Sequence, residues 1–410
     1  MSTDFDEDAF GVDDFGSDEE LQQELEEGTE FQRKKIFLPS GVTLLDLFCT
    51  GTTQGAYAAG DYVILVGDSS AGKSWLSLSA LAEAVRHPFF KSHRIIFDDV
   101  ENGLGMNIEK YFGRGLVDRI EYPGGIDEET ELGICSDTVE KFYAYLDDAF
   151  KIGDPFIYVL DSMTALDTKE AEETFQANKH KEGKLKATMG DTAKARYNSQ
   201  NIRRYAARLR KHNSILIVTC QTRQKFGVMF GDDRTYSGGK ALKFYSHSEL
   251  WMSSTPVYQE VKFDASKIDK PVDEETEETP KKKRGLAHKG KPVKEKKESK
   301  KKRVIGSIAT VKIKKNRNAG FFDSVRFPIF NAYGVDDIQA NIDFLLETKA
   351  WKKTLGKVTG TLTEKFTLPE KEVSRYVEDN ELEDVLKMLV AKVWKEYVKT
   401  GHETRKKKYQ

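Results

Sequence analysis

The chain has 410 residues, 38% of them hydrophobic, and a formal net charge of −2 that balances 65 Lys and Arg against 67 Asp and Glu, a size that suits one large α/β domain with smaller appendages. Its three cysteines, Cys49, Cys135 and Cys220, stand far apart with no C-x-x-C pair, which argues against zinc and a disulfide framework and fits a reducing compartment. No apolar run reaches membrane-spanning length and the N-terminus lacks the basic and apolar regions of a signal peptide, so a soluble, cytoplasmic protein with no membrane partner is expected.

Met1 to about Glu30 is acidic, with isolated Phe5, Phe10 and Phe15. It buries too little to offset its ordering entropy, so residues 1–34 are expected to be mostly disordered, with a short helix at Glu19–Glu27 as an option. From about Lys35 to Met252 apolar strands alternate with helical patterns, as a parallel sheet requires. The predicted strands are Tyr62–Val66, Arg94–Asp98, Phe156–Leu160, Ser214–Thr219 and Glu249–Met252. The predicted helices are Ser74–Val85, Thr138–Lys151 and Ala195–Lys211. Lys262 to Arg303 is acidic at first, then lysine-rich, with almost nothing to pack, and reads as a disordered insertion. Strict alternation returns at Thr310–Lys314, with Ser324–Phe330 as its hairpin partner and a helix at Asp336–Leu346. A small C-terminal module is expected from about 349 to 410, ending in an amphipathic helix, Leu382–Val398, with Leu382, Val385, Leu386, Leu389, Val390 and Val393 on one face.

The run Gly67-Asp68-Ser69-Ser70-Ala71-Gly72-Lys73-Ser74 fits G-x-x-x-x-G-K-[ST] between a predicted strand and a predicted helix, the context a phosphate-binding P-loop needs. Its glycines let backbone N–H groups converge on phosphate oxygens at a helix N-terminus. Lys73 is expected to reach the β- and γ-phosphates, and the Ser74 hydroxyl to ligate Mg²⁺. Phe156–Leu160 delivers Asp161 to a strand end about ninety residues later, as a Walker B strand does, so Asp161 is expected to hold the hydration shell of the metal beside Ser74. The strand before it ends Asp98-Asp99-Val100-Glu101. Its carboxylates are expected to emerge near the nucleotide, because ligands sit at the carboxyl ends of parallel strands. Glu101 is the choice for orienting or deprotonating the attacking water; solvated strand-end carboxylates are the plainer alternative.

Gln221–Gly231, reading QTRQKFGVMFG, followed by Gly238-Gly239-Lys240-Ala241-Leu242-Lys243-Phe244-Tyr245, closely resembles the second DNA-binding loop of the RecA-type recombinases of bacteria and phages. The likeness extends from about Lys35 to Leu346 and is weaker in the C-terminal module. It implies an α/β fold: a P-loop core over 35–348 with a mixed, mainly parallel sheet and a disordered charged insertion at about 265–303, flanked by the acidic N-terminus and a small α+β C-terminal domain. It implies a DNA-dependent ATPase using ATP and Mg²⁺, which forms helical filaments on single-stranded DNA, pairs it with homologous duplex DNA, and works in recombination and repair on the nucleoid. By the same resemblance Glu101 is the catalytic carboxylate, Asp161-Ser162 the Walker B pair, and Gln221 the sensor of the γ-phosphate. Lys315 and Arg317 fall where two lysines reach the nucleotide of the neighbouring subunit, the arginine keeping the charge but changing the geometry. Arg196, Ser199 and Arg203 fall at positions facing the DNA backbone, and Arg223, Met229, Phe230, Gly238, Gly239 and Lys240 in or beside the DNA loop. The first DNA loop, about Thr168 to Thr192, is longer and more basic than in the bacterial enzyme. The adenine-stacking aromatic aligns with Ile108, which leaves the adenine contacts open.

The residues support DNA binding beside the analogy. Arg196, Arg203 and Arg210 recur at i, i+7 and i+14 on a helix that also carries Arg204, Arg208 and Lys211. Such a row tracks phosphates, or is a solvated basic face. Met229 and Phe230 are apolar residues between glycines, suited to stacking on bases, or to tucking onto the core. The lysine tract reads as a linker, an auxiliary phosphate binder or a nuclear-localisation signal. The acidic N-terminus reads as a solubilising tail, a mimic of DNA, or a site for a single-strand-binding or mediator protein. Two other functions fit the P-loop: a ring-forming RecA-fold helicase, and a non-catalytic mediator that holds ATP as a structural ligand.

Overall fold

The computed structural model describes residues 35–101, 105–171, 173, 190–224, 234–261, 301–319 and 321–400. The acidic N-terminus, Met229 and Phe230, most of the first DNA loop, the body of the charged insertion and residues 401–410 lie outside them.

In chain order the strands are β1 (Phe37–Leu38), β2 (Tyr57–Ala58), β3 (Tyr62–Gly67), β4 (Arg94–Asp99), β5 (Ile120–Glu121), β6 (Phe156–Asp161), β7 (Ile215–Cys220), β8 (Thr222–Gln224), β9 (Arg234–Tyr236), β10 (Ser248–Val261), β11 (Lys301–Asn316), β12 (Ser324–Phe330), β13 (Gly334–Val335), β14 (Lys352–Thr354), β15 (Lys357–Thr361) and β16 (Lys365–Pro369). Nine of them form one sheet in the order β13-β12-β11-β10-β3-β7-β6-β4-β5. From β10 to β5 every pairing is parallel, and from β10 to β13 every pairing is antiparallel. The sheet is therefore mixed and mainly parallel, as expected.

The period-2 geometry of a strand sorts its side chains to two faces. Val63 and Leu65 join one apolar cluster with Ile95, Phe97, Ile157 and Val159, while Tyr62, Ile64 and Val66 join the other with Ile96, Tyr158 and Leu160. Burial on both faces makes these strands read as continuous apolar runs. The Lys73–Arg86 helix covers the first face with Leu76, Ala80, Leu81 and Ala84. The Val139–Ile152 and Gly190–His212 helices cover the second with Phe142, Leu146, Ile202, Tyr205 and Leu209.

The predicted central strands and helices are found within a few residues of their expected ends. Several short elements are additional. The Thr43–Thr50 helix is buried at all eight residues, and β5, β8, β9 and β13 to β16 are five residues long or fewer. One expected boundary is corrected. β10 does not stop at Met252 but runs to Val261, paired with a β11 that begins at Lys301, so Lys301, Lys302 and Arg303 belong to a strand and not to the insertion. Past Met252 this ribbon has left β3, and Tyr258 and Val304, register partners, are 60% and 50% exposed. Ladder hydrogen bonds and not burial hold it, which is why no apolar pattern marks it.

From Lys352 the chain forms the antiparallel β14-β15-β16 meander and the helices Glu370–Asp379 and Glu383–Thr400. Leu386, Val390, Val393 and Trp394 are buried in the same cluster as the first sheet face. Trp394 packs edge-on against Phe48 at 5.6 Å and Phe321 at 5.3 Å.

Candidate nucleotide site and DNA-facing surface

The turn from β3 into the Lys73–Arg86 helix has the backbone a phosphate cradle needs. Gly72 sits at φ +94°, and a Cβ there would lie 2.9 Å from Ile329 Cδ1. A Cβ on Gly67 would lie 2.6 Å from the Met252 carbonyl oxygen. Both positions therefore require glycine. Ser70 also has positive φ, 60°, and Asp68, Ser69 and Ser70 are exposed beside buried Ala71. Lys73 is 7% exposed, and its Nζ donates to the carbonyls of Gly67 at 3.0 Å and Asp68 at 2.9 Å. Burial pushes its pKa down, opposed by the nearby Asp161 and Glu101 carboxylates.

Asp161, at the end of β6, is brought against the P-loop. Ser74 Oγ donates to Asp161 Oδ2 at 2.5 Å, and Thr219 Oγ1, from β7, donates to Asp161 Oδ1 at 2.6 Å. A hydroxyl and a carboxylate oxygen this close at the first helical turn make a hard-oxygen donor set. That suits Mg²⁺, which takes few protein ligands and completes its shell with phosphate and water. Among the described residues no cluster of three His, Cys, Asp or Glu side chains forms a separate metal cage.

Glu101 follows β4 and lies beside the same strand ends, its N–H bonded to the Asp161 carbonyl at 3.3 Å. Its Oε1 accepts from Ser162 Oγ at 2.5 Å and from Gln221 Nε2 at 2.9 Å. Gln221 is held in turn by Thr164, whose Oγ1 accepts the Gln221 N–H at 2.9 Å. One residue on, the Thr222 hydroxyl donates to the Asp68 carboxylate. Ser74 with Asp161, and Glu101 with Ser162 and Gln221, thus gather near Lys73 at the carboxyl ends of the parallel strands, and Gln221 leads directly into β8. Thr164, Thr219 and Thr222 were not anticipated. A threonine in the apolar run Ile215–Cys220 was the available signal, since a polar group in a buried strand needs a partner.

The neighbouring carboxylate Asp98 is a correction. It does not emerge near the nucleotide but is fully buried, accepting from Ser136 N at 2.8 Å, Ser136 Oγ at 2.6 Å and Tyr158 Oη at 2.7 Å. Burial raises its pKa. It ties β4 to the Ser136 turn.

Lys315 and Arg317 are not brought to the P-loop of their own chain. The register partner of Lys315 is Glu249, which pairs with Ile64, three residues short of Gly67, or about 10 Å along the strand. Lys315 Nζ instead donates to the carbonyls of Lys243 at 2.5 Å and Phe244 at 2.9 Å, and Arg317 Nη2 to that of Phe244 at 3.0 Å.

Arg196, Ser199, Arg203 and Arg210 are all exposed along the Gly190–His212 helix, and Arg196 reaches Glu170 at 3.4 Å. Arg208, on the same helix, turns to its neighbour: it pairs with Asp147 at 2.5 Å and lies over the Phe150 ring at 4.2 Å. Arg223 and Lys240 are exposed at the two ends of the Thr222–Lys240 segment. Gly238 and Gly239 pack against the basic helix. A Cβ on Gly239 would lie 2.7 Å from Ala195 Cβ, and both glycines have positive φ. The Gly238 carbonyl accepts from Asn198 Nδ2 at 3.0 Å, and Asn198 accepts from Tyr143 Oη at 2.9 Å. The buried Asn198 thus fixes the far end of the segment to the helix. No helix among the described residues is long and apolar enough to cross a membrane.

The chain is similar in sequence to known proteins. A family model described as the RecA N-terminal domain matches residues 25–268. The protein named Protein RecA from Francisella tularensis subsp. novicida (strain U112) is 31% identical over 216 residues, covering 52% of this chain and 51% of that protein. Protein RecA from Francisella tularensis subsp. tularensis (strain WY96-3418) matches to the same extent. The chain spans about half the length of the curated relatives it matches.

Proposed function

The chain belongs to the RecA family, and from that premise we propose that it is an ATP-dependent DNA recombinase. Subunits polymerise on single-stranded DNA with ATP held between neighbours, and the filament pairs that strand with homologous duplex DNA. The observation that carries this reading is the direct link from Glu101 through Gln221 to β8, which joins the hydrolytic carboxylate to the root of the DNA-contacting segment.

The backbone N–H groups of Gly67–Ser74 would hold the phosphates of ATP, and Lys73 would turn from its loop carbonyls to the β- and γ-phosphates. Ser74 and, through water, Asp161 would hold Mg²⁺, which would neutralise charge on the phosphate oxygens. Thr219 keeps the second oxygen of Asp161 occupied, so the first faces Ser74. Glu101 accepts the proton of the attacking water, oriented by Ser162 and Gln221. Gln221 changes partner as the γ-phosphate comes and goes, and β8 carries that change into the DNA-contacting segment. Lys315 and Arg317 reach the nucleotide of the next subunit.

Arg196, Ser199 and Arg203, with Arg223, Met229, Phe230, Gly238, Gly239 and Lys240, line the single-stranded DNA. Base pairing reads the sequence, so the protein supplies phosphate contacts and stacking platforms. The work is done in the cytoplasm on the nucleoid, with a single-strand-binding or mediator protein as further partner. The test is negative-stain imaging with Mg·ATP. Helical filaments that require single-stranded DNA support the reading, and closed hexamers favour a ring helicase.

A further inference from the structure

We infer that Lys315 and Arg317 are positioning residues that clamp, within their own chain, the helix that anchors the far end of the DNA-contacting segment. That helix, Lys240–Tyr245, begins directly after Gly239 and has six residues, too few to be stable by itself. Its start is set by the packing of Gly238 and Gly239 on the basic helix. At its end Ser246 caps the Leu242 carbonyl through its N–H at 3.1 Å and the Lys243 carbonyl through its hydroxyl at 3.0 Å, and the Phe244 carbonyl beyond them adds to a concentration of partial negative charge. Lys315 Nζ meets the Lys243 and Phe244 carbonyls and the Ser246 hydroxyl at 2.5, 2.9 and 3.4 Å, and Arg317 Nη2 meets the Phe244 carbonyl at 3.0 Å. Two cations from the end of one strand therefore close the end of this helix.

The clamp is incompletely neutralised. Burial, then the adjoining Arg317, push Lys315 down to about 8, with Lys243 adding to the effect and the buried Glu249 opposing it. Carbonyl dipoles do not compensate the pair, whereas a nucleotide triphosphate would. On the recombinase reading, on which this second step rests, the neighbour's nucleotide draws the pair away and frees the helix. The DNA-contacting segment of one subunit then responds to the nucleotide held by the next.

The experiment is amide hydrogen exchange on the full chain, read at Leu242–Ser248 with the Lys73–Arg86 helix as internal reference. In nucleotide-free protein, Lys315→Met/Arg317→Met exchanges about fivefold faster or more at Leu242–Ser248, the scale of a lost charge-assisted cap, with the reference unchanged. Lys315→Arg keeps the protection. Equal exchange in wild type and double variant overturns the clamp. Should the double variant loosen the reference helix as well, Arg317→Gln at its exposed position decides: faster exchange confined to Phe244–Ser246 supports the clamp, and unchanged exchange overturns it. Adding a non-hydrolysable ATP analogue with single-stranded DNA speeds exchange at Phe244–Ser246 in wild type but not in Lys73→Ala. Unchanged or slower exchange in wild type, with assembly seen by light scattering, overturns the release step. Absence of assembly counts against the recombinase reading, while the nucleotide-free comparison still decides the clamp.

Discussion

Gln221 Nε2 donates to Glu101 Oε1 at 2.9 Å, joining residues 120 positions apart. The parallel sheet makes this possible. Glu101 extends from β4 and Gln221 from β7, and β6 lies between those strands and contributes Ser162, whose hydroxyl shares the same carboxylate oxygen. The carboxylate proposed to activate water and the root of the segment proposed to contact DNA are in this way fixed by one hydrogen-bonding centre.

Glu101→Gln removes the base but leaves the P-loop intact. ATP binding is retained and hydrolysis slows by about a hundredfold or more, the range for losing a positioned base. Filaments on DNA then outlast those of wild type. Steady-state turnover beside nucleotide binding checks this. Normal turnover in Glu101→Gln with loss in Asp99→Asn transfers the role to Asp99.

Thr219→Val keeps the volume and deletes the donor to Asp161 Oδ1. Leaving that buried acceptor unpaired costs about 1–3 kcal/mol of stability. It also loosens the carboxylate, so more Mg²⁺ is needed for half-maximal ATP hydrolysis, and Thr219→Ser restores both. A Mg²⁺ titration identical to wild type shows that Thr219 only packs.

The parts legible in the sequence are those where one periodicity or motif dominates. Strands buried on both faces announced themselves as Tyr62–Val66 and Phe156–Leu160, and the P-loop and Asp161 followed from their ends. Glu101 was chosen from its strand-end position and matched by resemblance, Gln221 was found by resemblance alone, and their contact could not be read, because it depends on which strands the sheet makes neighbours. Asp98 looks the same as Asp99 in sequence, and only the inward turn toward Tyr158 and Ser136 makes it structural. The ribbon at Ser254–Val261 was missed because ladder hydrogen bonds hold it. Arg208 is one more basic residue of that helix in sequence and belongs to Asp147 by packing, a pairing set by the adjoining helix.

Lys315→Ala and Arg317→Ala lower DNA-stimulated hydrolysis through the neighbour's site. Lys73→Ala abolishes turnover in its own site with the fold intact. Mixing Lys315→Ala with Lys73→Ala therefore recovers part of the activity, since some interfaces pair an intact P-loop with an intact cation. Mixed filaments that form without any recovery argue for sites complete within one chain.

Lys315 also gives a pH signature. Its folded pKa, pushed by burial to about 8, lies under its ordinary 10.5. Across that window the unfolded chain binds more protons at this residue than the folded chain, so its contribution to stability rises with pH. Lys315→Arg stays charged and lacks the rise. Denaturant midpoints of both proteins at pH 7.5 and 10, chosen as about half a unit outside and inside the window, read the difference, and parallel changes in the two contradict the assignment.

The most direct measurement of the central claim is joint-molecule formation between circular single-stranded DNA and a linear duplex, with Mg·ATP. The recombinase account predicts joint molecules with a homologous duplex and none with a heterologous one, and their loss in Lys73→Ala. Strand separation that ignores homology, or ATP hydrolysis with no joint molecules under conditions where filaments form, would contradict it.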